Sequence, residues 1–121
     1  MTNPKFWLAL DTLLAKHEII IDRPKGTAHP KQKNFTYPLD YGYLDGTNSG
    51  DGEGIDVFVG SGERQIDAII VSVDTYKKDS EIKILVGCNE EEKRAALRIY
   101  TETYDTLQGI LVRRGNPWNI S

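Results

Sequence analysis

Residues 65–88, "QIDAIIVSVDTYKKDSEIKILVGC", hold two long β-branched and aliphatic runs joined by the charged turn "KKDS". Two such runs around a short polar break predict an antiparallel hairpin. A hairpin alone is marginal in water and needs further strands and a cover. The rest of the chain supplies both. "HEIIIDRP" and "IDVFVG" read as strands, "FTYPLDYGYLDG" as short extended pieces broken by Pro38 and Gly42, and "GILVRRG" as a closing strand. Phe6, Leu10, Leu13 and Leu14 recur at helical spacing over residues 4–16, with Asn3 as cap and Pro4 in the first turn. "NEEEKRAALRIYTETYDTL" reads as a second helix, capped by Asn89 and stopped by Gly109, with Glu90, Glu91 and Glu92 suiting its N-terminal dipole. The expected class is α+β: about five strands in a small curled antiparallel sheet or an OB-like barrel, with two flanking helices.

A chain of 121 residues, 39% apolar and 27% charged, fits one globular domain over residues 1–121. Its net charge of −3 argues against non-specific binding to nucleic acid or acidic lipid. No apolar run approaches the ~20 residues of a membrane span. The opening "MTNPKFWLALDTLLAKHE" lacks the basic start and cleavage site of a secretory signal. Cys88 is the single cysteine and cannot form an internal bridge, so a reducing, cytoplasmic compartment is expected. At a strand end with nothing to lower its pKa, it reads as a buried, inert thiol.

The stretch from Tyr37 to Val59, "YPLDYGYLDGTNSGDGEGIDVFV", carries Asp40, Asp45, Asp51, Glu53 and Asp56 with no Lys or Arg. Asp51 and Glu53 lie in a glycine-rich loop and Asp56 begins a strand, so a tight loop can turn all three inward. Carboxylates held that close raise one another's pKa unless a cation neutralises them. Oxygen donors without His or Cys favour Mg²⁺, Mn²⁺ or Ca²⁺ over zinc. A solvated acidic loop tolerates the same crowding through screening, and composition alone leaves both readings open. Tyr37, Tyr41 and Tyr43 stand close upstream; their hydroxyls suit phosphate oxygens, although such tyrosines also serve as plain packing. The spacing from Asp45 to Asp56 imitates an EF-hand loop, but Thr47 and Asp56 stand where Asp or Asn and a bidentate Glu belong, and the flanks are not helical, so the match is accidental.

The segments "YPLDYGY" and "DGEGIDV", at their separation, resemble the signature of the family I (soluble) inorganic pyrophosphatases, with weaker likeness from "IIIDRP" to "GILVRRG". The resemblance implies Mg²⁺-dependent hydrolysis of pyrophosphate, with Mn²⁺ as an alternative ion and a homo-oligomer as a family habit. It implies metal ligands at Asp51 and Asp56, with Asp22 in the outer shell and Glu81 from "EIK". A further aspartate ahead of that motif matches Asp74 or Asp79, and Asp79 joins the expected metal set. Glu53 falls beside the attacking water, so Glu53, Asp56 and Tyr41 form the implied catalytic group. Lys31, Lys83, Tyr37 and Tyr104 are the implied substrate contacts.

Several positions depart from the pattern. Glu53 is one methylene longer than the family's aspartate, Gly54 replaces a proline, and Asp105 replaces a phosphate-binding lysine. The usual arginine ahead of the tyrosine segment has no counterpart, leaving Lys25, Lys31, Lys33, Arg113 or Arg114 to supply positive charge. The metal site is thus better preserved than the phosphate site. A hydrolase of another phosphorylated compound and a non-catalytic binding domain remain alternatives. His17 and His29 have no metal-ligand spacing; Trp118 suits a docking or oligomer contact.

Overall fold

The computed structural model describes residues 3–30, 35–50 and 52–115. Expectations for Lys31, Lys33, Asp51 and Trp118 lie outside the described residues. The elements run α1 (Pro4–Lys16), β1 (Ile19–Arg23), β2 (Asp40–Leu44), β3 (Ile55–Val59), β4 (Ile66–Asp74), β5 (Asp79–Val86), α2 (Glu90–Glu102) and β6 (Leu107–Arg113). The side chain of Asn3 accepts the Lys5 and Phe6 amides at the start of α1. Asn89 and Glu92 form a reciprocal capping box on α2, satisfying amides that have no partner within the helix.

The strands form one sheet in the order β1-β2-β3-β5-β4-β6. The β4–β5 hairpin is present, with Lys78 in the left-handed conformation of its turn. The sheet is mixed rather than purely antiparallel, because β3 pairs with β5 in parallel. After β3 the chain runs on to β4 one strand-place away, and the hairpin brings β5 back into the gap. Among the described residues β1 and β6 do not pair, so the curled sheet is open and not a closed barrel.

Strand alternation sorts side chains onto two faces. Val57, Ile69, Ile84 and Val86 pack with Leu44 and Ile66 against Trp7, Leu10 and Leu14 of α1. Phe58, Ala68, Ile70 and Leu85 pack with Leu39 and Cys88 against Ala96 and Tyr100 of α2. Phe58, Ile84 and Val57 are fully buried, each contributing about 1.5–3 kcal/mol by leaving water.

The second helix ends at Glu102, and Gly109 is not its stop. Gly109 lies inside β6 opposite Ser72, where a Cβ would sit 2.7 Å from Cβ of Tyr100. Its lack of a side chain lets α2 press against the sheet. Burial pushes the Cys88 thiol up to about 11, in keeping with an inert group.

Candidate functional site

The face of the sheet under α2 is apolar for only part of its length. In the parallel register Asp56 on β3 stands beside Lys83 on β5, and across β2 Tyr43 faces Asp56 while Tyr41 faces Phe58. Glu81 lies two residues before Lys83, on the same face. Core packing therefore continues into a polar cluster along the same row of side chains.

Lys83 is only 4% exposed. Its ammonium donates to Asp56 Oδ2 at 2.5 Å, Glu81 Oε2 at 2.8 Å and Tyr41 Oη at 3.4 Å. An ammonium has no further protons to offer. It also lies over the rings of Tyr41 and Tyr100, at 5.9 and 5.8 Å from their centroids. Burial works against its charge, but the tyrosine oxygens and Asp56 outweigh that and hold its pKa above the ordinary lysine value. Lys83 is therefore a cation already shared between two carboxylates.

Asp56 also opens onto a cavity of about 520 Å³, lined by Asp22, Arg23, Tyr37, Tyr41, Tyr43 and Glu53 among others. Three carboxylates and three tyrosines make this an oxygen-rich basin. Burial raises the pKa of both the Tyr41 and Tyr37 hydroxyls, so each keeps its proton at neutral pH. Gly54 forms part of the wall. A Cβ there would meet Tyr43 Cδ2 at 2.7 Å, so the glycine is a close-packing requirement rather than mere slack.

A second cavity, of about 350 Å³, shares Tyr37 and Tyr41 with the first. His29, Phe35, Tyr100, Tyr104, Lys77, Asp74 and Asp79 are among its lining. The dividing rings are anchored: Tyr37 stacks on Tyr41 at 5.2 Å and Tyr41 packs on Phe58 at 4.8 Å. One oxygen of Asp74 accepts the Tyr76 and Lys77 amides and so fixes the turn.

The structure thus gathers Asp22, Glu53, Asp56, Tyr37 and Tyr41 around one basin, with Glu81 and Lys83 behind it. Asp79 and Tyr104 line the second cavity. Arg113 and Arg114 are engaged elsewhere, with Glu90 at 2.7 Å and Asp11 at 2.8 Å. Lys25 borders a smaller cavity beside Glu92. Sequence reasoning passed over Tyr100, Lys77 and Arg23. Tyr100 follows Ala96 by one helical turn, the mark of a core stripe. Lys77 reads as a solvated turn residue. Arg23 stands next to Asp22, where simple alternation sends it to the opposite face.

Oxygen donors at the basin suit a hard divalent ion such as Mg²⁺. Among the described residues no three His, Cys, Asp or Glu side chains converge closely enough to hold an ion by themselves. The chemistry of the donor set fits the ion.

A family model described as Inorganic Pyrophosphatase matches residues 14–111. Among solved structures, the chain is similar to an inorganic phosphatase from Anaplasma phagocytophilum, at 13% identity and a TM-score of 0.56, covering 78% of this chain and 81% of that one. It is also similar to an inorganic pyrophosphatase from Helicobacter pylori, at 10% identity and a TM-score of 0.54 with the same coverage. At such identities the likeness shows a shared fold. No curated protein matches the chain.

Proposed function

We infer that this chain, which belongs to the inorganic pyrophosphatase family, is a diphosphatase that hydrolyses pyrophosphate with Mg²⁺. The observation that carries this reading is the basin. Asp22, Glu53 and Asp56 meet protonated tyrosine hydroxyls there, and Lys83 alone does not balance the carboxylates of Asp56 and Glu81. Such a surface repels a polyanion unless cations reverse its sign.

Asp51, Asp56 and Glu81 are the residues that would hold Mg²⁺, with Asp79 as a further ligand and Asp22 in the outer shell; Mn²⁺ would suit the same oxygens. When bound, the ion supplies positive charge and Lewis acidity toward phosphate oxygens. Glu53 orients the attacking water and accepts its proton. That water adds to one phosphorus as the bridging P–O bond breaks, giving two phosphates. Tyr41 and Tyr37 donate to phosphate oxygens, and Lys31 and Tyr104 complete the substrate contacts. Lys83 keeps Asp56 and Glu81 in place.

A second reading is favoured by the adjoining cavity, whose rings offer contacts that inorganic pyrophosphate does not need. On this reading the substrate is another phosphorylated compound, with an organic group against those rings. Phosphate release from pyrophosphate, with and without Mg²⁺, tests the first reading. Release only with the metal is the expected result. No release in either condition overturns it, and a parallel screen of organic phosphate esters and anhydrides then decides the second.

A further inference from the structure

The register of β1 against β2 slips at one point. Ile21 is opposite Gly42, but the next paired position, Tyr41, is opposite Arg23 and not Asp22. Two residues of β1 thus face one residue of β2, the geometry of a β-bulge. In a regular strand neighbouring side chains leave opposite faces, and only Asp22 would share the side of Tyr41. With the bulge, Asp22 and Arg23 both line the carboxylate basin. Bulges commonly re-aim a side chain beside a functional site.

The charge balance makes the re-aimed residue informative. Lys83 has every proton committed to Asp56, Glu81 and Tyr41. Arg113 and Arg114 are paired away from the basin. Arg23 is the arginine in the lining of the basin, and none of the ion pairs among the described residues includes it. Its guanidinium lies beside the Tyr37 hydroxyl, and Nη1 donates to the Asp22 carbonyl at 3.2 Å. Those contacts fix its position and leave further donors of the planar fork unspent. Such a fork suits two oxygens of one phosphate group.

We propose that Arg23, turned into the basin by the β1 bulge, binds a phosphate group of the substrate and adds its cation to the phosphate site. This rests on the reading of the basin as a phosphoanhydride site. It assigns substrate recognition to a strand residue immediately before Pro24. Arg23 acts on the phosphate rather than on the metal, so its loss weakens anion binding while metal binding stands.

Titration calorimetry with inorganic phosphate in Mg²⁺, on the wild type, Arg23→Met, Arg23→Gln and Arg23→Lys, tests this. A parallel titration of each with Mn²⁺ alone reports metal binding, and melting curves report folding. Phosphate affinity is expected to fall roughly tenfold to a hundredfold in Arg23→Met and Arg23→Gln, with partial recovery in Arg23→Lys. KM for pyrophosphate rises more than kcat falls, and Mn²⁺ affinity does not fall, in contrast to the roughly 10–100-fold loss that follows removal of a group supporting the metal ligands. Folded Arg23→Met or Arg23→Gln with wild-type phosphate affinity overturns the proposal. So does a fall in Mn²⁺ affinity large enough to explain the loss, since Arg23 would then support the metal ligands rather than bind the phosphate. A wild type that binds phosphate through Arg23 but leaves pyrophosphate intact retires the hydrolysis reading and keeps this one. Hydrolysis that is indifferent to Arg23 does the reverse, and a wild type that neither binds nor hydrolyses retires both.

Discussion

The two faces of the sheet are built from the same strands and differ in what they tolerate. Under α1 the face is aliphatic, from Leu44 and Val57 through Ile69 and Ile84 to Val86. Under α2 it begins the same way, with Phe58, Ile70 and Leu85, and then continues into Lys83, Asp56 and Glu81. Neighbours in sequence illustrate the contrast. Ile84 is fully buried among apolar groups, whereas Lys83 is almost as buried and surrounded by oxygen and aromatic rings. Strand alternation lets one face provide stability while the other carries charge that folding alone would not favour.

The comparison breaks most visibly at Asp56. Asp56→Asn keeps the size of the side chain and removes a charge from both the basin and Lys83. Hydrolysis of pyrophosphate is expected to fall by at least about 10²-fold, the scale on which misplaced catalytic groups fail. Steady-state phosphate release on the folded variant measures it, and an unchanged rate would place the chemistry elsewhere.

Residues 83 and 84 give a sharper pair. Ile84→Ala should cost about 2–5 kcal/mol of stability, read by urea denaturation, while the activity of the remaining folded protein is kept. Lys83→Met leaves Asp56 and Glu81 facing each other without their cation. Its stability cost is expected to be smaller, about 2–3 kcal/mol, because both carboxylates keep some access to water. Activity should be lost along with it. If both variants lost only stability, the distinction between the faces would fail.

The smallest effect concerns pH and lies outside both cores. Hydrogen bonds from Arg113 and Lys93 hold the Glu90 carboxyl down at about 2, against an ordinary 4.5. A carboxylate depressed on folding stabilises the protein above its unfolded pKa and loses that contribution as pH falls through the folded one. The difference in melting temperature between wild type and Glu90→Gln should therefore be present above pH 4.5 and shrink toward pH 2. Because Glu90 is an exposed group, that difference is expected to be modest and to weaken with salt.

Much of the fold was legible because it rests on local rules. The caps at Asn3 and Asn89, the period of α1 and the β4–β5 hairpin each depend on residues within a few positions, although Asp79 and Ser80 of "KKDS" belong to β5 and the turn is residues 75–78. The end of α2 was misread, since Gly109 answers to a contact with Tyr100 and not to helix termination. In the candidate site, the tyrosine segment and the acidic loop were visible as spacing. The commitment of Lys83 to Asp56 was not, because it depends on two distant segments pairing in parallel.

By itself the sequence determined the elements, the hydrophobic rows that bind them and the inventory of carboxylates, tyrosines and lysines. These follow from periodicity and side-chain chemistry, which act over short spans of chain. The tertiary structure alone decided that β5 returns beside β3, that the sheet stays open, and that Arg23 joins Asp22 in one basin. Register and bulges are settled by which backbones meet, and a shift of one residue sends a side chain to the other face.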